Sequence, residues 1–360
     1  MTPRTALIMA GGTGGHIFPG LAVAEALRAQ GWNVHWLGAP APSMESQLVP
    51  ARGFALETVA FGGVRGKGVK TLALLPFKLL RAFWQSWSVV RRVKPDVVVG
   101  LGGYITFPAG MMAVLAGKPL VLHEQNSIAG MANKVLSGVA DRVYSAFPQV
   151  MPKAEWVGNP LRAGFVTQPE PAQRYAARTG PLQVLVVGGS LGAQALNEAV
   201  PKALALISPD QRPVVTHQSG AKQIDALRAA YDAAGVKANL TPFIDDTAQA
   251  FADADLVIAR AGASTVTELA AVGVPAIYVP FPHAVDDHQT TNARFVVEAG
   301  GGWLIPQSQL DAQDLANRIQ FMTRRTLQAT AEKAYAVRQV DATQHVVQAC
   351  EQLAKKKEHA

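Results

Sequence analysis

The feature that most constrains the fold is a unit of strand, glycine-rich loop and helix that occurs in each half of the chain. The first copy reads ALIMAGGTGGH at Ala6–His16, and the second reads VLVVGGSLGAQ at Val184–Gln194. Short apolar runs alternate with amphipathic stretches along the rest of the chain, which is typical of parallel sheets covered by helices on both faces. The sequence therefore predicts an α/β protein with two doubly wound parallel-sheet domains.

The predicted strands form one set in each half of the chain. The first set is Ala6–Ala10, Asn33–Leu37, Val97–Gly100, Leu120–His123, Arg142–Ser145 and Ala154–Val157, and the second is Gln183–Val187, Arg212–His217, Ala238–Thr241, Leu256–Ala259, Ala276–Val279 and Gly302–Ile305. Proline and glycine cluster between Asn159 and Leu182, where we place the boundary. We predict an N-terminal domain over residues 1–162 and a C-terminal domain over 163–340. A last helix within 341–360 is compatible with either domain, and we assign it to the first.

The composition indicates which binding partners and which cellular compartment fit this chain. There are 33 Lys and Arg against 26 Asp and Glu, a net charge of +7 that attracts anions. The sequence has no RNA-binding or zinc-finger pattern, so we expect no nucleic-acid partner. Cys350 is the single cysteine, which excludes an intrachain disulfide and fits a reducing compartment. Neither a signal peptide nor an apolar run long enough to span a bilayer is evident, so we expect a protein that is soluble or lies on a membrane surface.

The two glycine loops suit phosphate binding, because backbone N–H groups in such a turn at a helix N-terminus approach anions closely. Neither loop fits the dinucleotide fingerprint, which would need glycine in place of Ile17, and neither has the Walker A lysine. A tight turn for close helix–strand packing is the alternative. His16 lies at the tip of the first loop. An imidazole can accept a proton from an alcohol near neutral pH, and a structural cap on the loop is the alternative.

The sequence does not favour a catalytic metal. The string Asp253-Ala254-Asp255 matches the Asp-x-Asp pattern with which many sugar-nucleotide transferases hold a divalent ion. It leads directly into the predicted strand Leu256–Ala259, so we interpret it as a helix end and strand entry. No His and Cys cluster has zinc-ligand spacing. We therefore expect no metal and no other cofactor.

Eight motifs occur in order along nearly the whole chain. They are GGTGGHIFPGLAVAEAL (Gly11–Leu27), LGGYITFPAG (Leu101–Gly110), HEQNSIAGMANK (His123–Lys134), VGNPLR (Val157–Arg162), VVGGSLGAQALN (Val186–Asn197), FIDD (Phe243–Asp246), RAGASTVTELAAVGVPAIYVPFP (Arg260–Pro282) and DDHQTTNA (Asp286–Ala293). Together they closely resemble the MurG family, the UDP-N-acetylglucosamine:lipid I N-acetylglucosaminyltransferases of peptidoglycan synthesis. The resemblance implies the GT-B fold, in which two Rossmann-like domains enclose a cleft, and the donor UDP-N-acetylglucosamine (UDP-GlcNAc).

The resemblance also implies the donor-binding residues. Ala263–Glu268 matches the helix start that receives the UDP diphosphate and ribose, with Glu268 on the ribose hydroxyls. Ile244 matches the uracil contact, and Gln289 matches the amide on the hexose hydroxyls, although a shift of one residue would put His288 there. The complete implied set is Thr13, Gly14, Gly15, Asn126, Arg162, Ser190, Ile244, Ala263, Ser264, Thr265, Val266, Thr267, Glu268 and Gln289. Secondary candidates at family motif positions are Tyr104, His123, Glu124, Asn197 and Arg260.

The family reaction inverts the anomeric carbon in one displacement by the C4 hydroxyl of N-acetylmuramic acid (MurNAc) in lipid I. That hydroxyl needs a base, and the leaving diphosphate needs positive potential. We predict His16 as the catalytic base, with helix N-terminal N–H groups, Ser190 and Arg162 beside the leaving group.

The lipid acceptor implies a membrane partner. The segment Lys67–Arg92 mixes aromatic, leucine and basic residues, as interfacial helices do. We predict that one stripe, Leu80, Phe83, Trp87 and Val90, packs on the core and that a second, Phe77, Leu80 and Trp84, is exposed; a wide buried helix is the alternative. The resemblance implies peripheral attachment to the cytoplasmic face of the inner membrane, an anionic lipid surface and other cell-wall synthesis or division proteins as partners.

Three other functions fit parts of the pattern. One is a GT-B transferase acting on diacylglycerol or a small aglycone, and another is a UDP-GlcNAc 2-epimerase, which needs no acceptor. The third is a UDP-sugar sensor without activity. The motifs at His123–Lys134 and Leu101–Gly110 favour the transferase of the MurG family, and His16 beside a complete donor set argues against the sensor.

Overall fold

The structure, a computed structural model, describes residues 3–62, 74–189 and 192–358. The chain divides into two compact units, unit 1 formed by Met1–Arg162 with Val340–Ala360 and unit 2 formed by Ala163–Gln339. Within the described residues each unit has one sheet, and all strand pairs are parallel. Two parallel-sheet α/β units confirm the predicted fold class.

The sheet of unit 1 has the strand order β3-β2-β1-β4-β5-β6-β7. Its strands are β1 (Thr5–Met9), β2 (Asn33–Gly38), β3 (Ala55–Thr58), β4 (Val97–Gly100), β5 (Leu120–Glu124), β6 (Arg142–Ser145) and β7 (Glu155–Trp156). Its first helices are α1 (Gly14–Ala29), α2 (Met44–Ala51), α3 (Leu75–Val93), α4 (Thr106–Leu115) and α5 (Met131–Leu136). The strand order reverses between β1 and β4, and ligands of open α/β sheets bind beyond the carboxyl ends of the strands at such a point.

The sheet of unit 2 has the order β10-β9-β8-β11-β12-β13. Its strands are β8 (Gln183–Val187), β9 (Val214–Gln218), β10 (Asn239–Thr241), β11 (Leu256–Ala259), β12 (Ala276–Tyr278) and β13 (Gly302–Leu304). Its helices are α6 (Ala163–Val166), α7 (Pro171–Ala176), α8 (Gln194–Ala205), α9 (Ile224–Ala234), α10 (Thr247–Asp253), α11 (Ala263–Val272), α12 (His288–Glu298), α13 (Ala312–Phe321) and α14 (Arg324–Ala336), with 3-10 turns at Val285–Asp287 and Gln307–Gln309. The order reverses between β8 and β11.

The last helix, α15 (Ala342–Glu358), belongs to unit 1. Its residues Val346 and Cys350 are fully buried in the same apolar cluster as Ile17 and Leu21 of α1. Their burial follows from the spacing of the apolar residues, which places one side of the helix on the sheet layer.

Both sheets are covered on their two faces. In β4, Val97, Val98 and Val99 are all fully buried, and in β11 Leu256, Val257 and Ile258 are as well. Continuous apolar runs of this kind are expected when helices cover both faces of a parallel sheet. The strand interiors are therefore apolar, and the loops at the carboxyl ends of the strands carry the polar side chains of interest.

Two sequence predictions about elements need correction. Strand β3 was not predicted, because it is a short edge strand whose side chains are half-buried or exposed and include Glu57. In α3 the predicted core stripe is wrong at Leu80, which is 66% exposed. The buried side of α3 is formed instead by Ala82, Ser86, Val89 and Val90, because small residues there let α4 approach closely. The predicted exposed stripe is confirmed, and its Phe77 and Trp84 are 70% and 71% exposed.

Part of the predicted membrane segment cannot be placed. Lys67, Lys70, Leu72 and most of the glycine-rich stretch Gly62–Gly68 lie outside the described residues. Among the helices that the structure describes, none combines the length and the apolar character needed to cross a bilayer.

Candidate functional site

The first glycine loop joins β1 to α1 at the reversal point of the unit 1 sheet. Thr13 is the N-cap of α1 and is exposed, while Gly14 and Gly15 form the first turn, half-buried. The loop lies directly against the loop after β4, since a Cβ atom on Gly103 would be 2.5 Å from the carbonyl oxygen of Gly11. Tyr104, in that neighbouring loop, is 51% exposed. The structure therefore brings Thr13, Gly14, Gly15 and the Tyr104 loop together.

Glu45 supports the first loop and was missed by the sequence analysis. Its side chain is fully buried at the start of α2. Its carboxylate accepts hydrogen bonds from the backbone N–H of Gly12 at 3.3 Å and of Ala39 at 2.9 Å. It thus joins the loop after β1 to the loop after β2. No motif of the sequence analysis includes Glu45, and its partners Gly12 and Ala39 are 33 and 6 residues away.

His16 lies in the first turn of α1, half-buried, with its backbone N–H donating to the carbonyl of Thr13 at 3.1 Å. Its Nδ1 is 2.7 Å from Oε1 of Gln125. Its ring also lies against Gly102, whose φ of 99° favours glycine and whose added Cβ would be 2.9 Å from the imidazole. The ring is thus held from two sides.

Gln125 is the second functional residue that sequence reasoning missed. It is fully buried and directly follows β5. Its Nε2 lies 3.0 Å from Nδ1 of His123 and 3.0 Å from the carbonyl oxygen of His123. Nε2 of His123 is in turn 2.8 Å from the carbonyl oxygen of Gly158, in the loop after β7. Burial lowers the pKa of His123 to about 4, so its imidazole is neutral at neutral pH.

Glu124 holds the loop after β5 together. One carboxylate oxygen accepts hydrogen bonds from the backbone N–H and the side-chain amide of Asn126, at 2.9 and 3.4 Å. The other accepts from the N–H of Gly130 at 3.0 Å and from the Asn133 amide at 2.9 Å. Glu124 is buried, and these four contacts use its lone pairs. The carboxylate therefore positions the half-buried Asn126 and does not act as a free base.

Arg162, at the end of unit 1, lies over the ring of Phe18, with its guanidinium carbon 5.2 Å from the ring centre. Phe18 follows His16 by two residues in α1, and a Cβ on Gly14 would be 3.0 Å from its ring. The stacking on Phe18 therefore places the Arg162 cation next to the first turn of α1.

In unit 2 the start of α11 lies at the reversal point of the sheet, directly after β11. Its N-cap is Gly262, which has no side chain to cap the first-turn N–H groups, so these groups are open to an anion. Ser264 has a buried Oγ with no hydrogen-bond partner among the described residues. Thr265 and Glu268 are half-buried.

The other predicted residues of α11 contribute differently. The Val266 side chain is fully buried in the core and Ala263 is also buried, so only their backbone can reach a ligand. The Thr267 hydroxyl donates to the carbonyls of Ala263 and Ser264, at 2.9 and 3.1 Å. Thr267 therefore stabilises the first turn of the helix.

Gln289 lies in the first turn of α12, close to the start of α11. Its Oε1 accepts hydrogen bonds from the N–H of Phe281 at 2.9 Å and of Ala261 at 3.3 Å. It therefore joins the loops after β12 and β11, and its amide nitrogen remains for other acceptors. His288, the competing residue, is also half-buried in the first turn of α12.

Arg260 holds the loop after β12 in place through hydrogen bonds. Its guanidinium donates to the carbonyls of Val279 and Pro280, at 3.1 and 3.2 Å, and to Oε1 of Gln307 at 2.7 Å. Burial lowers its pKa. These contacts hold the backbone on which Gln289 depends.

Ser190, in the second glycine loop, lies outside the described residues. The adjacent Gly189 is held by Gln218, a third residue that the sequence analysis missed. The buried Gln218 amide, at the end of β9, donates to the carbonyls of Gly189 and Pro242, at 3.0 and 3.1 Å. It thus joins the second glycine loop to the loop after β10, where Ile244 is half-buried.

Asn197 lies in the core beneath the second loop. Its Oδ1 is 3.0 Å from Nε2 of His217, and its amide donates to Gln223 at 2.7 Å. Nδ1 of His217 is 3.0 Å from the Tyr231 hydroxyl, and burial lowers the pKa of His217 to about 3. Asn197 therefore belongs to a buried polar network.

The Asp-x-Asp string has a structural role. The buried Asp255 accepts hydrogen bonds from Arg178 at 2.6 Å, from Arg324 at 3.3 Å and from the N–H of Gln183 at 2.7 Å. Both of its carboxylate oxygens are occupied by these donors. Among the described residues, no group of three or more His, Cys, Asp or Glu side chains is arranged to hold a metal ion.

The predicted residues thus form two sets. Unit 1 brings together the first glycine loop, His16, Asn126 and Arg162, each on or beside a loop at the carboxyl edge of its sheet. Unit 2 brings together the start of α11 and Gln289, with Ile244 on a neighbouring loop at the same edge. Glu124, Asn197 and Arg260 support these loops.

Comparison with known families defines the class of this protein. The N-terminal domain of glycosyltransferase family 28 matches residues 6–145, and the C-terminal domain of that family matches residues 183–352. These matches cover most of the chain, and they identify a glycosyltransferase.

The chain belongs to the MurG family. It is 70% identical to a protein of Polaromonas sp. (strain JS666) named UDP-N-acetylglucosamine--N-acetylmuramyl-(pentapeptide) pyrophosphoryl-undecaprenol N-acetylglucosamine transferase, over 98% of this chain and 92% of the relative. A protein of the same name from Paracidovorax citrulli is 68% identical over 98% and 99%. The crystal structure of Acinetobacter baumannii MurG is 40% identical with a TM-score of 0.84, covering 97% of this chain and 100% of that one. These similarities confirm the GT-B fold.

Proposed function

We propose that this protein transfers N-acetylglucosamine from UDP-GlcNAc to the C4 hydroxyl of MurNAc in lipid I, with UDP as the second product. The observation that carries the proposal is the 70% identity, over 98% of the chain, to a transferase of that substrate pair. The arrangement of both sheet edges is compatible with it, since each has polar groups suited to one half of the reaction.

The donor is proposed to bind unit 2. The uncapped first turn of α11, with the Ser264 hydroxyl, suits the diphosphate. Glu268, one turn further along, suits the two neighbouring ribose hydroxyls. The Gln289 amide is proposed to donate to the hexose through Nε2, because its Oε1 already accepts two backbone N–H groups.

The reaction is proposed as one displacement. The acceptor oxygen bonds to the anomeric carbon as the bond to UDP breaks, and the electron pair leaves with the diphosphate. His16 takes the hydroxyl proton, and Arg162 adds positive charge for the leaving group. The proposal needs no catalytic metal or other cofactor; the Asp-x-Asp carboxylate that could suggest one is bound by two arginines.

Attachment to the membrane is proposed through α3. Phe77, Leu80 and Trp84 form an exposed apolar stripe, and the exposed Lys78 and Arg81 lie on the same helix. Aromatic and leucine side chains beside cations suit the interface of an anionic bilayer. We propose peripheral binding at the cytoplasmic face of the inner membrane, where the lipid I tail lies.

The first experiment measures UDP release from UDP-GlcNAc, with and without a lipid I analogue, and identifies the products by mass. We expect release only with the analogue, together with a disaccharide-lipid product. UDP release or N-acetylmannosamine formation without the analogue would identify an epimerase instead.

The base is tested with His16→Ala. We expect kcat to fall by about 10²–10⁴-fold, the usual contribution of a general base. UDP affinity should stay nearly unchanged, because the proposed uracil and ribose contacts lie in unit 2. Turnover near wild type would show that His16 is not the base.

A further inference from the structure

The orientation of the Gln125 amide is fixed by an acceptor that cannot change. Nε2 lies 3.0 Å from the backbone carbonyl oxygen of His123, and a carbonyl oxygen can only accept. A reversed amide would place two oxygens against each other in a fully buried position, with no donor between them. The amide nitrogen therefore faces His123, and Oε1 faces His16.

His123 supports the same orientation independently. Its Nε2 is 2.8 Å from the carbonyl oxygen of Gly158 and must donate to it. Because burial keeps this imidazole neutral, Nδ1 has no proton and accepts from Nε2 of Gln125 at 3.0 Å. Both protons of the Gln125 amide nitrogen thus have acceptors.

The consequence appears at His16. Its Nδ1 is 2.7 Å from Oε1 of Gln125. Since that oxygen can only accept, Nδ1 must have the proton. In the neutral ring Nε2 is then unprotonated. Of the two ring nitrogens of His16, only Nδ1 has a hydrogen-bond partner among the described residues. Gly102 lies against the same ring and limits its movement.

We propose, on the basis of the transferase function above, that Gln125 is a positioning residue that holds His16 with its proton on Nδ1, so that Nε2 receives the acceptor proton. The donors run in one direction: His16 donates to Oε1 of Gln125, the Gln125 amide nitrogen donates to His123, and His123 donates to the carbonyl of Gly158. When the acceptor hydroxyl attacks, its proton goes to Nε2, and the imidazolium that forms keeps its Nδ1–H bond to Oε1. An amide oxygen fixes the ring direction without a negative charge beside it.

The tautomer can be measured without any substrate. The full-length protein is labelled with ¹⁵N in its histidine rings, and long-range ¹H–¹⁵N correlation spectra distinguish protonated from unprotonated ring nitrogens. His16→Gln identifies the His16 signals. We expect His16 to be protonated on Nδ1 and His123 on Nε2. A His16 ring protonated on Nε2 in the wild-type protein would overturn the proposal.

The kinetic test compares Gln125→Met, which has similar length and no hydrogen-bonding amide, with Gln125→Glu, which keeps an oxygen towards His16. For Gln125→Met we expect kcat to fall about 10- to 100-fold, less than the loss of the base itself, and the His16 spectrum to show a mixture of tautomers. KM for UDP-GlcNAc should stay unchanged. Gln125→Glu should keep the Nδ1–H tautomer of His16, while the carboxylate oxygen that replaces Nε2 cannot donate to His123 and should lower the thermal midpoint. Gln313→Met, on the exposed surface of α13, is the matched control.

The outcomes separate the two proposals. If the wild-type enzyme turns over and Gln125→Met keeps full kcat, the positioning role is wrong and the transferase function stands. A structural role alone would change the thermal midpoint and KM without a selective loss of kcat, and that result would also overturn the proposal. If the wild-type protein releases no UDP with any lipid I analogue, the transferase function itself fails, whatever tautomer the spectra show.

Discussion

Carboxylates near the sheet edges of unit 1 accept hydrogen bonds from loop backbone. Glu45 receives the N–H groups of Gly12 and Ala39, and Glu124 receives those of Asn126 and Gly130. A buried carboxylate that accepts hydrogen bonds from several donors holds its partners in place. The shape of the proposed acceptor side therefore depends on residues that need not touch a substrate.

Glu45 gives the sharpest test of this dependence. Glu45→Ala leaves the N–H groups of Gly12 and Ala39 without their acceptor. For each of these N–H groups that stays shielded from water, the loss should cost about 1–3 kcal/mol of stability. We expect a lower thermal midpoint for unit 1 and a lower kcat, with unchanged UDP affinity, because the first loop would lose its support. Glu45→Gln keeps one acceptor oxygen and should lie between Glu45→Ala and wild type. Equal kcat in all three proteins would contradict the supporting role.

His217 makes unit 2 sensitive to acid. An unfolded histidine titrates near about pH 6.5, whereas burial lowers the pKa of His217 to about 3. The folded state therefore excludes a proton that the unfolded state binds as pH falls below 6.5. The contribution is fully present above that pH, and it is lost by about 1.4 kcal/mol per pH unit as pH falls towards the folded pKa.

The measurement is the thermal midpoint of unit 2 between about pH 7 and about pH 5. His217→Gln should be less stable than wild type at neutral pH, and its midpoint should fall less steeply with acid. His283→Gln changes an exposed histidine and should keep the wild-type slope. An unchanged slope in His217→Gln would show that another group controls the acid response.

Motifs in the sequence located the loops that carry the candidate site residues, but they did not predict the contacts that order these loops. His16, Gln289 and the start of α11 follow from motifs, because each is local to one loop. Gln125 and His16 are 109 residues apart, and Glu45 and Gly12 are 33 apart. Such pairs meet only after the strands have taken their order in the sheet. A polar residue at the end of an apolar strand, as at Gln125 and Gln218, was the available signal.

At the scale of elements, the apolar pattern predicted nearly every strand, since strands buried on both faces read as continuous apolar runs. The edge strand β3 lacks that pattern, so it was missed. The orientation of α3 depended on a partner that the sequence does not reveal. Its small residues Ala82 and Ser86 pack inward, and the larger Leu80 and Trp84 point outward. Leu80 belonged to both predicted stripes, and apolar periodicity alone did not show that it lies on the exposed side.

The exposed stripe of α3 can be tested on vesicles. Leu80→Gln with Trp84→Gln removes two side chains that are 66% and 71% exposed. A leucine-sized side chain contributes about 1.5–3 kcal/mol when buried, so we expect at least about 10-fold weaker binding to vesicles that contain phosphatidylglycerol. Turnover of a water-soluble acceptor analogue should stay unchanged. Phe321→Gln is the matched control, because Phe321 is 79% exposed on α13 of unit 2. An equal loss of vesicle binding in Phe321→Gln would show that α3 has no special role in membrane binding.

At the scale of the whole molecule, the two units have the same architecture. Each has its own apolar core and a parallel sheet whose strand order reverses at one point. Unit 1 also includes α15, which follows unit 2 in the sequence and packs into the apolar cluster of unit 1. Domains with separate cores can unfold in separate transitions. A substitution in α15 should therefore affect the distant N-terminal residues and spare its nearer neighbours in sequence.

Val346→Ala tests this arrangement. Val346 is fully buried, whereas Gln348 on the same helix is exposed, so Gln348→Ala is the matched control. Losing two buried methyl groups should cost unit 1 about 2 kcal/mol, which corresponds to a thermal midpoint lower by about 4–8 °C. Added UDP should raise the midpoint of the unit that binds it, which is unit 2 in our proposal, and so identifies that transition in calorimetry. We expect Val346→Ala to lower only the transition that UDP does not raise. If it lowers the UDP-sensitive transition instead, α15 stabilises unit 2 or UDP binds unit 1, and binding measurements on Glu268→Ala distinguish these two cases.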